Sequence, residues 1–168
     1  MELRRRLDLR MVLAGLYALL LGIYIIVGLQ PADATKLEVA AELSIPAIDL
    51  TSDVTNLKLN GTKLDTPATI VGSYSQAENK TLLIGHSTTV FKNLNQIKIG
   101  DEIDYDGKSY IVEKSEILAK AEISMDDLLA GAKTDTLVVM TCAGELLSGG
   151  DATHRLIITA IANNEENS

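Results

Sequence analysis

The sequence predicts a mainly β domain, a barrel or a sandwich, exported behind one N-terminal membrane span. Three observations carry this reading. Short apolar runs separated by tight-turn dipeptides recur from Leu43 to Ala162, and many short strands with only brief helices indicate that class. No charged residue occurs between Met11 and Gln30. A helix of that length covers about 30 Å, one hydrocarbon core. Arg4, Arg5, Arg6 and Arg10 precede the run, which places the N-terminus in the cytoplasm and the rest outside.

The charge balance supports the same division. The chain of 168 residues has Lys+Arg 15 against Asp+Glu 23. Four of the basic residues sit in the first ten positions, so the remainder is strongly acidic. Nucleic-acid binding needs clustered Lys and Arg to neutralise phosphate, and the acidic part has no such cluster. The single cysteine excludes an intrachain disulfide, and two histidines make a His-rich zinc site a poor fit.

In chain order, residues 1–10 are a basic cytoplasmic tail and residues 11–30 the anchor. A cleaved secretory signal is the competing reading, since Ala32-Asp33-Ala34 has the form of a cleavage site. Both readings export the same domain. Residues 31–42 are a tether, with Pro31 blocking helix continuation. Leu43 to Ile48 alternates as an edge strand around Pro46. Asn60-Gly61 is a hairpin turn, and Ala68 to Val71 a short strand. Ser73 to Lys80 is a polar loop before the strand that ends at His86. Phe91, Leu94 and Ile97 share a face of one or two helical turns. Asp106-Gly107 joins strands at Ile103–Tyr105 and Ser109–Val112. Ser124, with Asp127 three residues on, caps a short helix closed by Gly131. Strands at Thr136–Thr141 and Arg155–Ile161 finish the domain, and residues 163–168 form a polar tail.

The candidate chemistry lies at strand ends. Cys142 follows Thr136-Leu137-Val138-Val139-Met140-Thr141, and Ala143-Gly144 then breaks the pattern. His86 ends the run from Thr81, and Arg155 opens the run Leu156 to Ala160. A thiolate at neutral pH needs a nearby cation or general base. An acyl transfer also needs a donor for the oxyanion. These three side chains supply that set. His154 is the rival imidazole, but strand alternation turns it from Arg155's face.

The residues resemble the sortases, membrane-anchored cysteine transpeptidases of bacterial surfaces. The likeness covers residues 43–162. It rests on Val139-Met140-Thr141-Cys142 against the family's T-L-x-T-C, with Val in place of Leu. It rests also on Gly85-His86, on Phe91, Leu94 and Gly100-Asp101 downstream, on Ile45-Pro46 near the domain start, and on Arg155 opening the last strand. Each motif is short; their order and spacing make the match specific.

The resemblance implies a closed eight-stranded barrel with Cys142, His86 and Arg155 around one groove. It implies cleavage of an LPXTG-like sorting signal between Thr and Gly through a thioester on Cys142. The secreted protein is then passed to an amine, either a cell-wall peptide or a pilin lysine. His86 is the implied acid and base, Arg155 the implied holder of substrate or oxyanion, and Thr141 an implied substrate contact. No cofactor or metal is expected. Some members bind Ca2+ through acidic residues, but Glu113, Glu116, Glu122, Asp126 and Asp127 lack calcium-loop spacing and are read as a solvated helix face. The rival function is a non-catalytic anchored β module with Cys142 structural, which alkylation of the thiol discriminates.

Overall fold

The computed structural model describes residues 38–60, 63–148 and 151–163. The expected basic tail, the expected span at 11–30, most of the expected tether and nearly all of the expected polar tail lie outside the described residues. Among the described residues no helix is long and apolar enough to cross a membrane.

The strands are β1 (Val39–Ile45), β2 (Leu50–Asn56), β3 (Leu59–Asn60), β4 (Lys63–Leu64), β5 (Val71–Tyr74), β6 (Lys80–Ile84), β7 (Glu102–Tyr105), β8 (Lys108–Ala119), β9 (Thr136–Leu146) and β10 (Ala152–Ala162). Eight of them close into a barrel in the order β1-β2-β5-β6-β9-β10-β8-β7, and β3 and β4 make a separate two-stranded sheet. Pairing of β1 with β7 closes the ring, which removes the exposed edges an open sheet would carry. The pairs β2–β5 and β6–β9 are parallel; the others in the ring are antiparallel.

Alternation along β9 explains its continuous apolar run. Leu137 and Val139 point inward to the main core with Leu83, Phe91, Leu94, Leu156 and Ile158. Val138 and Met140 point outward, yet they are buried in a second layer with Leu82 and Ile157. Leu64, Ile84, Leu118, Ile123, Leu128 and Leu129 pack onto that layer. A strand covered on both faces reads as unbroken hydrophobic sequence. The inner residues form the barrel core, and the outer ones form a shelf on its wall.

Several elements differ from the sequence reading. β1 begins at Val39, so the end of the predicted tether is strand. The strand stops at Ile45 because Pro46 opens a 3-10 turn over Pro46–Ile48, where its missing N–H costs nothing. The strand expected at Ala68–Val71 lies at Val71–Tyr74, where Val71, Gly72 and Ser73 are buried. β8 runs to Ala119, well beyond Val112, because β10 pairs with it along nearly its whole length. Glu113 and Glu116 therefore lie on a strand and not on a helix face; only Asp126 and Asp127 are on the helix α1 (Met125–Leu129). The Ser124 cap forms as expected, with Ser124 Oγ accepting from the Asp127 N–H at 3.2 Å. The Asp106-Gly107 turn has positive φ at both residues, 51° and 75°, the backbone of a two-residue hairpin turn matched to strand twist.

Leu83 is fully buried. Leu83→Ala is expected to lower unfolding stability by about 2–5 kcal/mol in urea titration.

Candidate active site

The strand register brings Cys142 and Arg155 together. They are directly opposed in the β9–β10 pair, so their side chains leave the sheet on one face, with Cβ atoms about 4.5–5.5 Å apart. Both continue the outward set: Cys142 follows Val138 and Met140, and Arg155 precedes Ile157. On the other side of β9, the parallel register ends with Ile84 opposite Met140. His86 and Cys142 each lie two residues further along. All three side chains line one groove of about 450 Å³. Ile84 and Met140 are shared between the outer layer and this groove. Leu59 and Leu64 come from the small hairpin, and Ile123 and Met125 from the segment at α1. The groove is thus apolar along its length, with thiol, imidazole and guanidinium at one part of its lining. Lys120 also lines it.

Cys142 does not end its strand. β9 continues to Leu146, and what changes at Cys142 is the cover. Residues Thr136 to Thr141 are buried, whereas Cys142 is half-buried. The thiol is reachable because the layer over the sheet stops there. Beyond it, Gly144 takes φ +77°, and a Cβ at that position would lie 2.6 Å from Thr153 Oγ1. The register with β10 shifts nearby, between Ala152 and His154.

Thr141 points the opposite way, inward. It is 4% exposed, and its hydroxyl donates to the Gly85 carbonyl at 2.8 Å. That bond ties the residue before the thiol to the residue before the imidazole. The hydroxyl hydrogen is therefore engaged within the protein. Gly85 is buried as well: a Cβ there would meet Phe91 and Val90 at 2.6 Å. The His86 carbonyl then accepts from the N–H groups of Thr89 and Phe91, at 3.2 and 3.0 Å. Glycine, a buried hydroxyl and a tight turn together set where His86 projects, while its ring stays exposed. His154 is absent from the groove lining; its Nδ1 lies 2.8 Å from Thr153 Oγ1.

Arg155 is held by three acceptors. Its Nη1 donates to the carbonyls of Ala152 and His154 at 3.0 and 2.9 Å. Its Nη2 donates to Asp151 Oδ1 at 2.6 Å. The guanidinium has five N–H groups, so Nε–H and one Nη2–H have no acceptor among the described residues. Asp151 also receives Lys120 on its other oxygen and the Ala152 N–H at 2.8 Å. The Lys120 bond first, then the Ala152 N–H and Arg155, hold the Asp151 carboxyl well below the usual carboxylate range. A second recess, about 290 Å³, opens beside Cys142 between Ser87, Lys92, Asn95 and Gly144. Among the described residues no group of three His, Cys, Asp or Glu is arranged to hold a metal ion.

The residues singled out in the sequence, Cys142, His86, Arg155 and Thr141, all line this groove. Asp151 and Lys120, which contact Arg155 directly or through one another, were not among them. Asp151, four residues before Arg155 in an acidic chain, gave no signal of its own; only the fold brings Lys120 to it.

Two outcomes follow from this geometry. Thr141→Val leaves the Gly85 carbonyl unpaired and is expected to cost about 1–3 kcal/mol, read by urea unfolding. Asp151 has a depressed folded pKa, so its ion pairs contribute above the ordinary value of 3.8 and are lost only as pH falls through the lower folded value. A carboxyl NMR titration of Asp151 is expected to show no protonation step down to 3.8.

The comparisons agree with this architecture. The family model described as Sortase domain matches residues 43–163. No curated protein matches the chain. A lid mutant of sortase A from Corynebacterium diphtheriae superposes with a TM-score of 0.58 at 22% identity, covering 83% of this chain and 78% of that one. A sortase D5 transpeptidase of Clostridium perfringens gives 0.57 at 19%, covering 74% and 78%. The pilus-related sortase C of Group B Streptococcus gives 0.55 at 19%, covering 80% and 74%. At such identities the structures speak for the fold, and the family model speaks for descent over nearly the whole described domain: the chain belongs to the sortase family of cysteine transpeptidases.

Proposed function

We propose that this protein cleaves an LPXTG-like sorting signal between Thr and Gly and transfers the severed protein to an amine. The observation that carries the proposal is the direct opposition of Cys142 and Arg155 across β9 and β10, with His86 lining the same groove. The Cys142 thiolate attacks the Thr carbonyl carbon. His86, as imidazolium, gives its proton to the departing glycine nitrogen as the C–N bond breaks, leaving a thioester. An incoming amine attacks the thioester, neutral His86 takes its proton, and the thiolate leaves. The free N–H groups of Arg155 serve the oxyanion at both tetrahedral stages. Thr141 contributes chiefly by fixing Gly85 and, through its backbone, by bordering the substrate.

The apolar groove suits the leucine and proline of such a signal. The recess on the other side of Cys142 gives the acceptor a separate approach. A cell-wall peptide and a pilin lysine are both suitable acceptors. One of the structural neighbours is a pilus-related enzyme. The uncharged run at 11–30 and the arginines before it support a single-pass anchor, with the catalytic domain outside the cell.

Incubation of the full chain in detergent with a panel of LPXTG-type peptides is expected to give a thioester by intact mass. Triglycine or a lysine side-chain amine should discharge it into a ligated product. Cys142→Ala should give no adduct. Arg155→Ala should slow acylation about 10²–10³-fold, the usual cost of one oxyanion donor. A Cys142 that forms no adduct and resists alkylation would sink the proposal.

A further inference from the structure

Arg155 is mostly buried, with 15% of its side chain exposed, and Asp151 is its carboxylate partner. A guanidinium withdrawn from water needs its charge met and its donors filled. The backbone carbonyls of Ala152 and His154 fill both Nη1 hydrogens. Asp151 Oδ1 takes one Nη2 hydrogen and also the Ala152 N–H. The carboxylate is thereby fixed to the same strand end that carries Arg155. These contacts leave the guanidinium little freedom to rotate about its stem.

We propose that Asp151 is a positioning residue: it locks the Arg155 guanidinium so that its two remaining N–H groups stay available beside Cys142. The inference rests on the reading of Arg155 as the oxyanion donor. An objection is that a carboxylate beside the guanidinium weakens its pull on a developing negative charge. Lys120 answers it. Its ammonium binds the other Asp151 oxygen, Oδ2, and the same lysine lines the groove. Lys120, Asp151 and Arg155 together carry one net positive charge, that of an arginine standing alone. The site gains a fixed donor without giving up charge. The arrangement also links the 3-10 turn at Lys120–Glu122, next to the groove wall, to the arginine. An ion pair of this kind left partly in water contributes little to stability. Its value lies in orientation, where a misplacement of about 1 Å costs on the order of a hundredfold.

The test uses the full chain and single-turnover acylation by an LPXTG-type peptide that acylates the wild type. Asp151→Ala is expected to slow acylation about tenfold to a hundredfold. Cys142 alkylation should be unchanged, and the variant should remain folded with a lowered unfolding midpoint, since Arg155 loses its carboxylate partner. Asp151→Glu should recover part of the rate, and Asp151→Ala should add nothing in an Arg155→Ala background. A second readout is independent of turnover. The Arg155 side-chain N–H resonances should be resolved in the wild type and averaged in Asp151→Ala. Acylation as fast as or faster than wild type in Asp151→Ala overturns the inference, as does an equal loss in the Arg155→Ala background. If the wild type itself forms no thioester, the reading of the activity fails. The resonances then still decide whether Asp151 holds the guanidinium, and averaged signals in the wild type overturn it.

Discussion

The hydrogen bond from the Thr141 hydroxyl to the Gly85 carbonyl is the constraint on which the site depends. Cys142 and Arg155 need no such bond, because antiparallel pairing fixes them opposite one another. His86 lies past the end of β6, where the parallel ladder has given out. One buried hydroxyl replaces the missing ladder contact, and it does so from the residue adjoining the Cys142 thiol. The absence of a Cβ at Gly85 lets Phe91 and Val90 close over the same point. A position that sequence inspection treats as a motif letter is a joint between two strands.

The two-layer burial of β9 explains the placement of the rest. Because one face serves the barrel core and the other an outer shelf, alternation has a definite meaning at every residue. Inward residues hold the fold and outward residues floor the groove. Cys142, Arg155 and His86 all belong to the outward set, and Thr141 to the inward one. A slip of one residue in the β9–β10 register would exchange those roles and bury the thiol.

Much of this was legible in the sequence, for physical reasons. The turn at Asp106-Gly107, the Ser124 cap and the Phe91, Leu94, Ile97 face each rest on local chemistry, and each is present. Cys142, His86 and Arg155 stood out because polar groups broke apolar runs. What was not legible depends on partners distant in sequence. β8 extends through Glu113 and Glu116 because β10 supplies its hydrogen bonds, although its own pattern there is polar. β9 runs on past Cys142 for a like reason, through Gly144 and Glu145, which read as loop. The Lys120–Asp151–Arg155 grouping joins residues 31 and 4 positions apart, a convergence that only the folded sheet produces. The hairpin β3–β4 was expected from its turn, but nothing local announced that Leu59 and Leu64 would wall the groove.

That hairpin has a consequence for how the protein can change. The closed ring does not include β3 and β4, and α1 packs on the outside of the ring through Leu128 and Leu129. Yet these two small elements supply much of the groove's apolar lining. Altering Leu59 or Met125, which line the groove and are exposed, reshapes what the groove accepts while leaving the eight-stranded frame and its core intact. Stability and selectivity are thereby written largely on different residues. The fold is free to drift in substrate preference over evolutionary time without first passing through weakly folded intermediates.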